Sequence, residues 1–315
     1  MMIEATHLTK QYGSVKALFD ANFSVKKGEI VGFLGPNGAG KSTTMNLLCG
    51  YLPPSWGRVR VAGVDMAENP LEAKRHIGYL PEIPPLYMDM TVAEQLGFAC
   101  ELRGLRMKKP VLRAYIDSLC ARTQILDTRD RLIRNLSKGY RQRVAVTQLL
   151  AGEPEILILD EPTVGLDPRQ ILEFRELLSD LGSEHTIILS SHILSEISSV
   201  CGRILVFCEG MLIADGQPRQ LQEQLSGGAV LEVEINGDAG SVGALLRGIP
   251  EVLTVEEQGG GAYQVKHRAG TDIRSALYRA LRATGYELLM MKPKEVSLES
   301  LYLRLTGDEE ETAGG

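Results

Sequence analysis

The sequence predicts an α/β fold with a largely parallel sheet, followed by a smaller domain with its own order of elements. Short apolar runs alternate with helical segments, and this alternation is typical of parallel strands that are covered by helices on both faces. A glycine-rich loop at residues 35–40 stands between one such run and a helix. The pattern breaks after Gly216, and the 315 residues are enough for about two domains.

The first 220 residues contain the strands and helices of the predicted larger domain. Apolar runs predict strands at residues 3–8, 21–25, 30–34, 155–159, 186–190 and 204–209. Helices are predicted at residues 41–49, 168–181 and 194–200. Between about residues 91 and 148, helical spacing with many arginine and lysine residues predicts a separate helical subdomain.

The rest of the chain predicts a second, accessory domain at residues 221–306. Paired glycines make residues 225–228 a linker. Strands are predicted at residues 230–235, 252–257, 263–267 and 287–291, and helices at 242–247, 273–284 and 297–305. The order β-α-β-β-α-β favours a small α+β domain of the ferredoxin-like type. The acidic, glycine-ended segment at 307–315 is predicted to be disordered.

The charge balance and the apolar runs narrow the class of protein. Lysine and arginine total 34 and aspartate and glutamate total 40, so the net charge is -6. An acidic chain argues against nucleic-acid binding as the main function. No apolar run approaches the roughly 18 residues that a transmembrane helix requires, and the first residues lack the layout of a signal peptide. We therefore expect a cytoplasmic protein with no nucleic-acid partner.

The strongest motif is the glycine-rich loop with the helix that follows it. Residues 35–43 match the phosphate-loop pattern Gly-x-x-x-x-Gly-Lys-Ser/Thr. In such a loop, backbone N–H groups and the helix N-terminus bind phosphate oxygens. Lys41 is predicted to reach the β- and γ-phosphates and to assist catalysis, and Ser42 to ligate Mg²⁺. The predicted ATP-binding residues of the loop are Gly35, Pro36, Asn37, Gly38, Ala39, Gly40, Lys41, Ser42 and Thr43.

An acidic pair follows a later apolar run. Asp160 and Glu161 come directly after the strand predicted at residues 155–159. Open parallel sheets bind ligands at the carboxyl ends of their strands. Asp160 is therefore predicted to hold Mg²⁺, and Glu161 to orient or deprotonate the water that attacks the γ-phosphate. The pair alone is also typical of a solvated turn or a helix cap, and it is the phosphate loop that favours the catalytic interpretation.

One segment of the helical stretch carries a more specific signal. Residues 136–143 read Leu-Ser-Lys-Gly-Tyr-Arg-Gln-Arg, and this sequence resembles the signature of the ABC ATPases. Lys138 stands where that family more often has its first glycine. A generic P-loop kinase accounts for the phosphate loop but not for this segment. The resemblance therefore favours an ABC ATPase.

Further motifs extend the resemblance over most of the first 220 residues. Tyr12 matches the aromatic residue that stacks on adenine, residues 163–168 match the D-loop, and His192 matches the switch histidine. The resemblance implies a P-loop NTPase of the RecA-like class, namely an ABC cassette with an α-helical subdomain. Without that context, Tyr12 is an ordinary core or surface tyrosine and His192 a structural histidine.

In ABC ATPases two cassettes close head to tail, with each ATP between the phosphate loop of one subunit and the signature of the other. Carried over, the resemblance implies that Ser137, the backbone of Gly139 and the D-loop residue Asp167 face the partner's nucleotide. It also implies that His192 senses the γ-phosphate and holds the attacking water together with Glu161. Ser137 equally suits a plain role as a helix N-cap.

The Q-loop region departs from the family pattern. Glu82 stands where most members have glutamine. A carboxylate at this position can ligate Mg²⁺, but it repels the γ-phosphate unless the metal lies between them. With Ser42 and Asp160, Glu82 completes the predicted set of Mg²⁺ ligands.

The glutamate in the Q-loop and the Leu-Ser-Lys-Gly-Tyr signature make the sequence similar to cassettes of ABC-2-type exporters of the drug-resistance and gliding-motility kind. The resemblance implies a subunit that binds ATP and Mg²⁺, hydrolyses ATP and works as a dimer, either a homodimer or a dimer with a closely related cassette. It also implies a separate integral-membrane permease, with the cassette bound peripherally at the cytoplasmic face of the membrane.

A soluble ABC ATPase that acts on nucleic acid or ribosomes is the alternative function. Translation-type members usually hold two cassettes in one chain, and repair-type members carry long coiled-coil or zinc insertions, neither of which this sequence shows. The net acidic charge also argues against this alternative. The accessory domain offers no chemistry, and we expect it to stabilise the dimer or to regulate its closure.

Overall fold

The computed structural model describes residues 1–218, 221, 229–268 and 271–294. The chain divides into two units, Met1–Asp215 and Gly216–Gly315. The predicted linker at 225–228, the predicted last helix at 297–305 and the tail at 307–315 lie outside the described residues. None of the described helices has the length and apolar character needed to span a bilayer.

Ten strands belong to the first unit. In chain order they are β1 (Ile3–Tyr12), β2 (Val15–Val25), β3 (Ile30–Leu34), β4 (Trp56–Val61), β5 (Val64–Asp65), β6 (Ile77–Leu80), β7 (Ile156–Leu159), β8 (Thr186–Ser191), β9 (Arg203–Cys208) and β10 (Met211–Gly216). Six of them form a sheet in the order β10-β9-β3-β8-β7-β6, and the pairs from β9 to β6 are parallel. All residues of β7 and β8 are buried; β7 is a continuous apolar run, and β8 has an apolar centre and ends in Ser190 and Ser191. The predicted α/β class with a largely parallel sheet is confirmed.

Four strands form a second sheet, which is antiparallel and has the order β2-β1-β4-β5. The sequence analysis predicts β1 and β2 only in part, and it misses β4, β5 and β6 as well as β10 of the other sheet. Tyr12 pairs with Val15, so β1 and β2 form one long hairpin, and most residues next to its turn are exposed or half-buried. In β4 two arginines alternate with the buried residues Val59 and Val61, which conceals the strand.

Seven helices complete the first unit. They are α1 (Lys41–Leu48), α2 (Pro70–Arg75), α3 (Val92–Leu102), α4 (Lys109–Arg122), α5 (Lys138–Leu149), α6 (Pro168–Gly182) and α7 (Leu194–Ser198). α3, α4 and α5 lie in the stretch predicted to be helical and share an apolar core around Leu96, Ile116 and Val144. α3 begins with a capping box between Thr91 and Glu94. α7 ends two residues before its predicted end.

Between residues 229 and 294, the described part of the second unit contains a four-stranded antiparallel sheet and two helices. Its elements are β11 (Ala229–Asn236), α8 (Ala239–Arg247), β12 (Val252–Gly259), β13 (Ala262–His267), α9 (Arg274–Thr284) and β14 (Glu287–Lys294). The strand order is β12-β13-β11-β14. Alternate residues of β11, among them Val233, pack against Leu246 of α8 and Leu277 of α9. Glu232 on the opposite face forms an ion pair with Lys292 at 3.1 Å.

Candidate functional site

Three neighbouring strands of the parallel sheet end at the same edge. β3 leads into the loop at residues 35–40, β7 is followed by Asp160 and Glu161, and β8 is followed by His192. β8 lies between β3 and β7, and both of its pairings are parallel. Residues that are far apart in sequence therefore meet at the carboxyl ends of these strands, which is where open parallel sheets bind ligands.

The strand ends line a cavity of about 270 Å³, which we call the phosphate-loop cavity. Its lining contains most of the predicted phosphate-loop residues and the predicted catalytic side chains. It is formed by Pro36, Asn37, Gly38, Gly40, Lys41, Ser42, Thr43, Glu82, Glu161, Val164 and His192. Gly35 and Ala39 do not line the cavity, and both are buried.

Two glycines allow the loop to lie close to neighbouring backbone. A Cβ atom on Gly35 would clash with the carbonyl oxygen of Phe207 in β9. Gly40 has a φ of +102°, in the left-handed region that side chains rarely adopt, and a Cβ atom there would lie 2.7 Å from the carbonyl oxygen of Ala17. Gly40 is also the N-cap of α1, and no side chain caps this helix, so its first N–H groups face no side-chain acceptor.

Lys41 is the cation of the cavity and is only 4% exposed. Its Nζ donates hydrogen bonds to the carbonyl oxygens of Gly35 at 2.6 Å and Pro36 at 3.1 Å. The same Nζ lies 3.3 Å from Glu161 Oε1. Burial of an ammonium group is costly unless it is paired and hydrogen-bonded, and here three oxygens surround it.

Asp160 is held by hydroxyl groups from two other segments. Its Oδ1 accepts hydrogen bonds from Ser42 at 3.1 Å and from Ser190 at 2.6 Å. The buried charge of Asp160 acts on its surroundings: the pKa of the Cys49 thiol is raised mainly by burial and further by Asp160. The pKa of Tyr79 is raised for the same two reasons, in the same order.

Glu161 has an unusual backbone conformation, and one of its carboxylate oxygens has no hydrogen-bond donor among the described residues. Its φ is +46°, a left-handed conformation that is uncommon for residues other than glycine and is found at functional sites. Oε2 lies 3.0 Å from His192 Nδ1. Oε1 is buried and accepts no hydrogen bond from the described residues, although Lys41 is its neighbour. Since a carboxylate only accepts hydrogen bonds, the His192 Nδ1 carries the proton in this contact.

The donor set at one side of the cavity suits a hard cation such as Mg²⁺. The Ser42 hydroxyl and the Asp160 carboxylate are already in contact, and Glu82 lines the same cavity. Among the described residues, no group of three or more histidine, cysteine, aspartate or glutamate side chains is arranged to hold a metal ion. Mg²⁺ typically binds through one or two carboxylates together with substrate phosphates and water.

Three predicted site residues lie in a different cavity. Ser137, Gly139 and Asp167 line a space of about 480 Å³ beside the first turns of α5 and α6, which we call the signature cavity. Ser137 accepts a hydrogen bond from the Tyr140 N–H at 3.3 Å, and Asp167 accepts one from the Gln170 N–H at 2.9 Å, so both are helix N-caps. The structure therefore does not bring these residues together with the phosphate loop in one chain.

Tyr12 lies outside the lining of the phosphate-loop cavity. It stands at the end of β1 and is 47% exposed, and Lys10 Nζ lies 5.2 Å from its ring centroid.

The Lys138 side chain lies against Gly165 of the segment that matches the D-loop, where a Cβ atom would collide with its ammonium group. The signature and D-loop segments of one chain are therefore packed against each other.

Ser190 is a site residue that the sequence analysis misses. Besides its bond to Asp160, its hydroxyl oxygen accepts a hydrogen bond from the Glu161 N–H at 2.9 Å. It thus supports both residues of the acidic pair from the neighbouring strand. The signal in the sequence is a polar residue at the end of a fully buried apolar strand, next to Ser191.

Known proteins are similar to this chain over different lengths of it. The family model described as ABC transporter matches residues 18–164. The bacitracin transport ATP-binding protein BcrA of Bacillus licheniformis is 33% identical over 308 residues, which cover 97% of each chain. The Nod factor export ATP-binding protein I of Rhizobium meliloti (strain 1021) is 33% identical over 308 residues, which cover 98% of this chain and 88% of the relative.

Solved structures have the same fold in the first unit. The structure of cbiO1 from Clostridium perfringens, part of the ABC transporter complex cbiONQ, has a TM-score of 0.65 at 30% identity and covers 70% of this chain and 90% of its own. The similarity to the bacitracin relative extends over nearly the full length of both chains. The chain therefore belongs to the ABC transporter family, as a member that binds and hydrolyses ATP.

Proposed function

We propose that the chain is the ATP-hydrolysing subunit of an ABC exporter. In this proposal it binds a separate integral-membrane permease at the cytoplasmic face of the membrane and drives the permease by ATP-dependent dimerisation. Two relatives support a role in export, since their names assign one to bacitracin transport and the other to Nod factor export. The transported substrate is not part of the proposal.

The observation that carries the proposal is the division of the predicted nucleotide contacts between two cavities. Lys41, Glu161 and His192 line the phosphate-loop cavity, whereas Ser137 and Asp167 line the signature cavity. The described lining residues of the two cavities have no member in common. In a head-to-tail homodimer, which the family resemblance implies, the signature of each chain completes the phosphate-loop cavity of the other.

The donors and acceptors of the phosphate-loop cavity support the following assignment of nucleotide contacts. The N–H groups of the loop and of the α1 N-terminus, with Lys41, bind the β- and γ-phosphates. Ser42, Asp160 and Glu82 hold Mg²⁺, which when bound offsets the negative charge of the phosphates. Tyr12 stacks on adenine through its exposed ring. Ser137 and the N–H of Gly139 contact the γ-phosphate bound by the partner chain, with Asp167 beside them.

Glu161 is assigned to the attacking water. Its Oε1, which accepts no hydrogen bond from the described residues, accepts one from the water. The His192 contact fixes the orientation of the carboxylate. The water oxygen attacks the γ-phosphorus, the bond between that phosphorus and the bridging oxygen of ADP breaks, and the water proton moves to Glu161. His192, which is half exposed, contacts the γ-phosphate.

We also propose that the second unit is an accessory domain of the ferredoxin-like type. The β-α-β-β-α-β order and the strand order β12-β13-β11-β14 support this assignment. In the proposal this domain stabilises the dimer or regulates its closure. Deletion of the chain from about residue 225 should then change dimerisation, ATP turnover or both, and an unchanged result in both measurements would contradict the assignment.

Isolation from native membranes tests the partner. The tagged chain is expressed in its own host, and membranes are washed, solubilised in mild detergent and passed over the affinity column. We expect an integral-membrane protein to elute with the chain and to change its ATP turnover. A chain that is recovered only from the soluble fraction, with nucleic acid or ribosomes that nuclease treatment removes, would instead support the soluble alternative.

A further inference from the structure

A buried carboxylate lies beside the segments that carry the acidic pair and the histidine. Glu196, on α7, is 7% exposed. Its Oε2 accepts two hydrogen bonds, from Thr163 Oγ1 at 2.5 Å and from Ser191 Oγ at 3.1 Å. Ser191 Oγ in turn accepts a hydrogen bond from the Ile193 N–H at 2.9 Å. A single oxygen atom thus joins the segment after β7 to the segment after β8.

The positions of these two hydroxyl groups connect Glu196 to the site. Thr163 follows Glu161 by two residues, and Ser191 directly precedes His192. Glu161 Oε2 and His192 Nδ1 are themselves 3.0 Å apart. The Glu196 oxygen and the Glu161–His192 contact therefore connect the same two segments at neighbouring points.

The chemistry of Glu196 is unsuited to simple packing. Among the described residues no cation forms an ion pair with it, and its recorded partners are two hydroxyl groups. Burial of a carboxylate without a paired cation is unfavourable, and an apolar side chain would fill the same volume at lower cost. Glu196 does not line the phosphate-loop cavity, so direct contact with ATP does not account for its burial either.

We propose that Glu196 is a positioning residue for ATP hydrolysis. It holds Thr163 and Ser191 at a fixed separation, and this keeps Glu161 and His192 in hydrogen-bond contact while the water and the γ-phosphate react. The inference rests on the catalytic roles of Glu161 and His192 under the proposed function. It adds a link between the segment matching the D-loop and the segment of the switch histidine.

Steady-state ATP hydrolysis by the full chain tests the role of Glu196. Glu196→Ala should lower kcat by about tenfold to a hundredfold, since loss of a supporting hydrogen bond or a shift of about 1 Å has effects of this size. The KM for ATP should change by less than about threefold, because Glu196 does not line the phosphate-loop cavity. Glu196→Gln should restore most of kcat, because one amide oxygen can still accept both hydroxyl hydrogen bonds.

A matched control separates positioning from general stability. Thr123→Val removes a buried hydrogen bond between the hydroxyl groups of Thr123 and Thr147, which are 2.6 Å apart, and neither residue lines the phosphate-loop cavity. This variant should keep the kcat of the folded protein. In a His192→Ala background, single-turnover measurements should show that Glu196→Ala lowers the rate by less than about twofold, because the two residues act together. If Glu196 had only a structural role, Glu196→Ala would lower the rate by the same factor in the His192→Ala background as in the wild type.

The outcomes distinguish this inference from the proposed function. A wild-type rate in Glu161→Gln would overturn the catalytic assignments themselves. A loss of hydrolysis in Glu161→Gln, together with a kcat for Glu196→Ala within about twofold of wild type, would overturn only the role of Glu196. If Glu196→Ala does not fold, Thr163→Val removes the shorter of the two hydrogen bonds and should lower kcat in the same way, and an unchanged kcat there has the same meaning.

Discussion

In the first unit, buried charged side chains collect at the carboxyl ends of β3, β7 and β8, whereas the described core of the second unit is almost entirely apolar. Lys41, Asp160 and Glu161 are all buried around one cavity. In the second unit the polar exceptions among the described core residues are His267 and the hydroxyl of Tyr263. Because removing charges from water is unfavourable, a cluster of them marks a region organised for chemistry and not for packing.

The largest expected effect tests the chemical side of this comparison. Glu161→Gln should lower kcat by about 10²–10⁴-fold, because the amide cannot take the proton of the attacking water. ATP binding should persist and the closed dimer should accumulate. The readouts are phosphate release and size-exclusion chromatography with ATP.

A second glutamate provides a matched control for this substitution. Glu153 also has a left-handed backbone, with a φ of +50°, but it is exposed and lies outside the cavity lining. Glu153→Gln should keep the wild-type rate. Equal rates for the two variants would show that neither the burial of Glu161 nor its cavity position matters for hydrolysis.

The next effect tests the packing side of the comparison. Leu277 is fully buried in the second unit, and Leu277→Ala should lower the free energy of unfolding of that unit by about 2–5 kcal/mol. Amide hydrogen exchange in β11 and β13 reports this loss. The single tryptophan, Trp56, lies in β4 of the first unit. The unfolding transition of the first unit, followed by Trp56 fluorescence, should therefore be unchanged.

Turnover and a neighbouring residue complete the Leu277 experiment. The kcat and the KM for ATP of folded Leu277→Ala should equal those of the wild type, because the substitution changes only the core of a unit that stays in place, and Leu277 lines neither of the two cavities. Tyr278→Ala, at the exposed adjacent position, should have little effect on unfolding. A changed kcat in Leu277→Ala would mean that the division between chemistry and packing is wrong.

Lys41 tests whether the buried cation serves binding. Lys41→Ala removes the group assigned to the β- and γ-phosphates, and hydrogen bonds of this charged kind are worth about 1.5–3 kcal/mol. The Kd for ATP should therefore rise by about tenfold to a hundredfold, as measured by equilibrium titration. Lys26→Ala, at an exposed position, is the control and should leave the Kd unchanged. An unchanged Kd in Lys41→Ala would remove this lysine from the binding site.

The sequence predicts best the parts of the site that are continuous in the chain. The phosphate loop is one run of residues between a strand and a helix, and the acidic pair follows an uninterrupted apolar strand, so both appear in the sequence and in the structure. The parallel sheet is also predictable, because its central strands are buried on both faces. β4 is not, since a half-exposed strand with alternating arginines gives no apolar run, and β5 has only two residues.

The contacts between segments are what the sequence does not contain. Ser190 and Glu196 are parts of short polar stretches with no motif of their own, and only the pairing of β7 with β8 brings them to Asp160 and Thr163. The division of the predicted nucleotide contacts between two cavities is likewise a property of three-dimensional distance. No spacing along the chain expresses it.

His185 is a buried histidine of the first unit that does not line the phosphate-loop cavity. His185 Nδ1 donates to the Pro154 carbonyl oxygen at 2.8 Å, and Arg122 Nη2 lies 3.1 Å from its Nε2. The pKa of His185 is lowered, mainly by burial and also by the charge of Arg122, although the Pro154 carbonyl, Glu184 and Glu153 act in the opposite direction. The folded chain therefore holds this ring neutral at pH values where the unfolded chain binds a proton.

The smallest expected effect follows from this shift. Below the unfolded pKa of about 6.5 the unfolded state binds more protons, so the free energy of unfolding should fall as the pH falls from 7.5 to 5.5. Urea unfolding followed by Trp56 fluorescence measures it, and the dependence should weaken in His185→Gln. Because His185 does not line the phosphate-loop cavity, the kcat of folded His185→Gln at pH 7.5 should match the wild type. A lower kcat would show that buried polar groups of the first unit serve hydrolysis even outside that cavity.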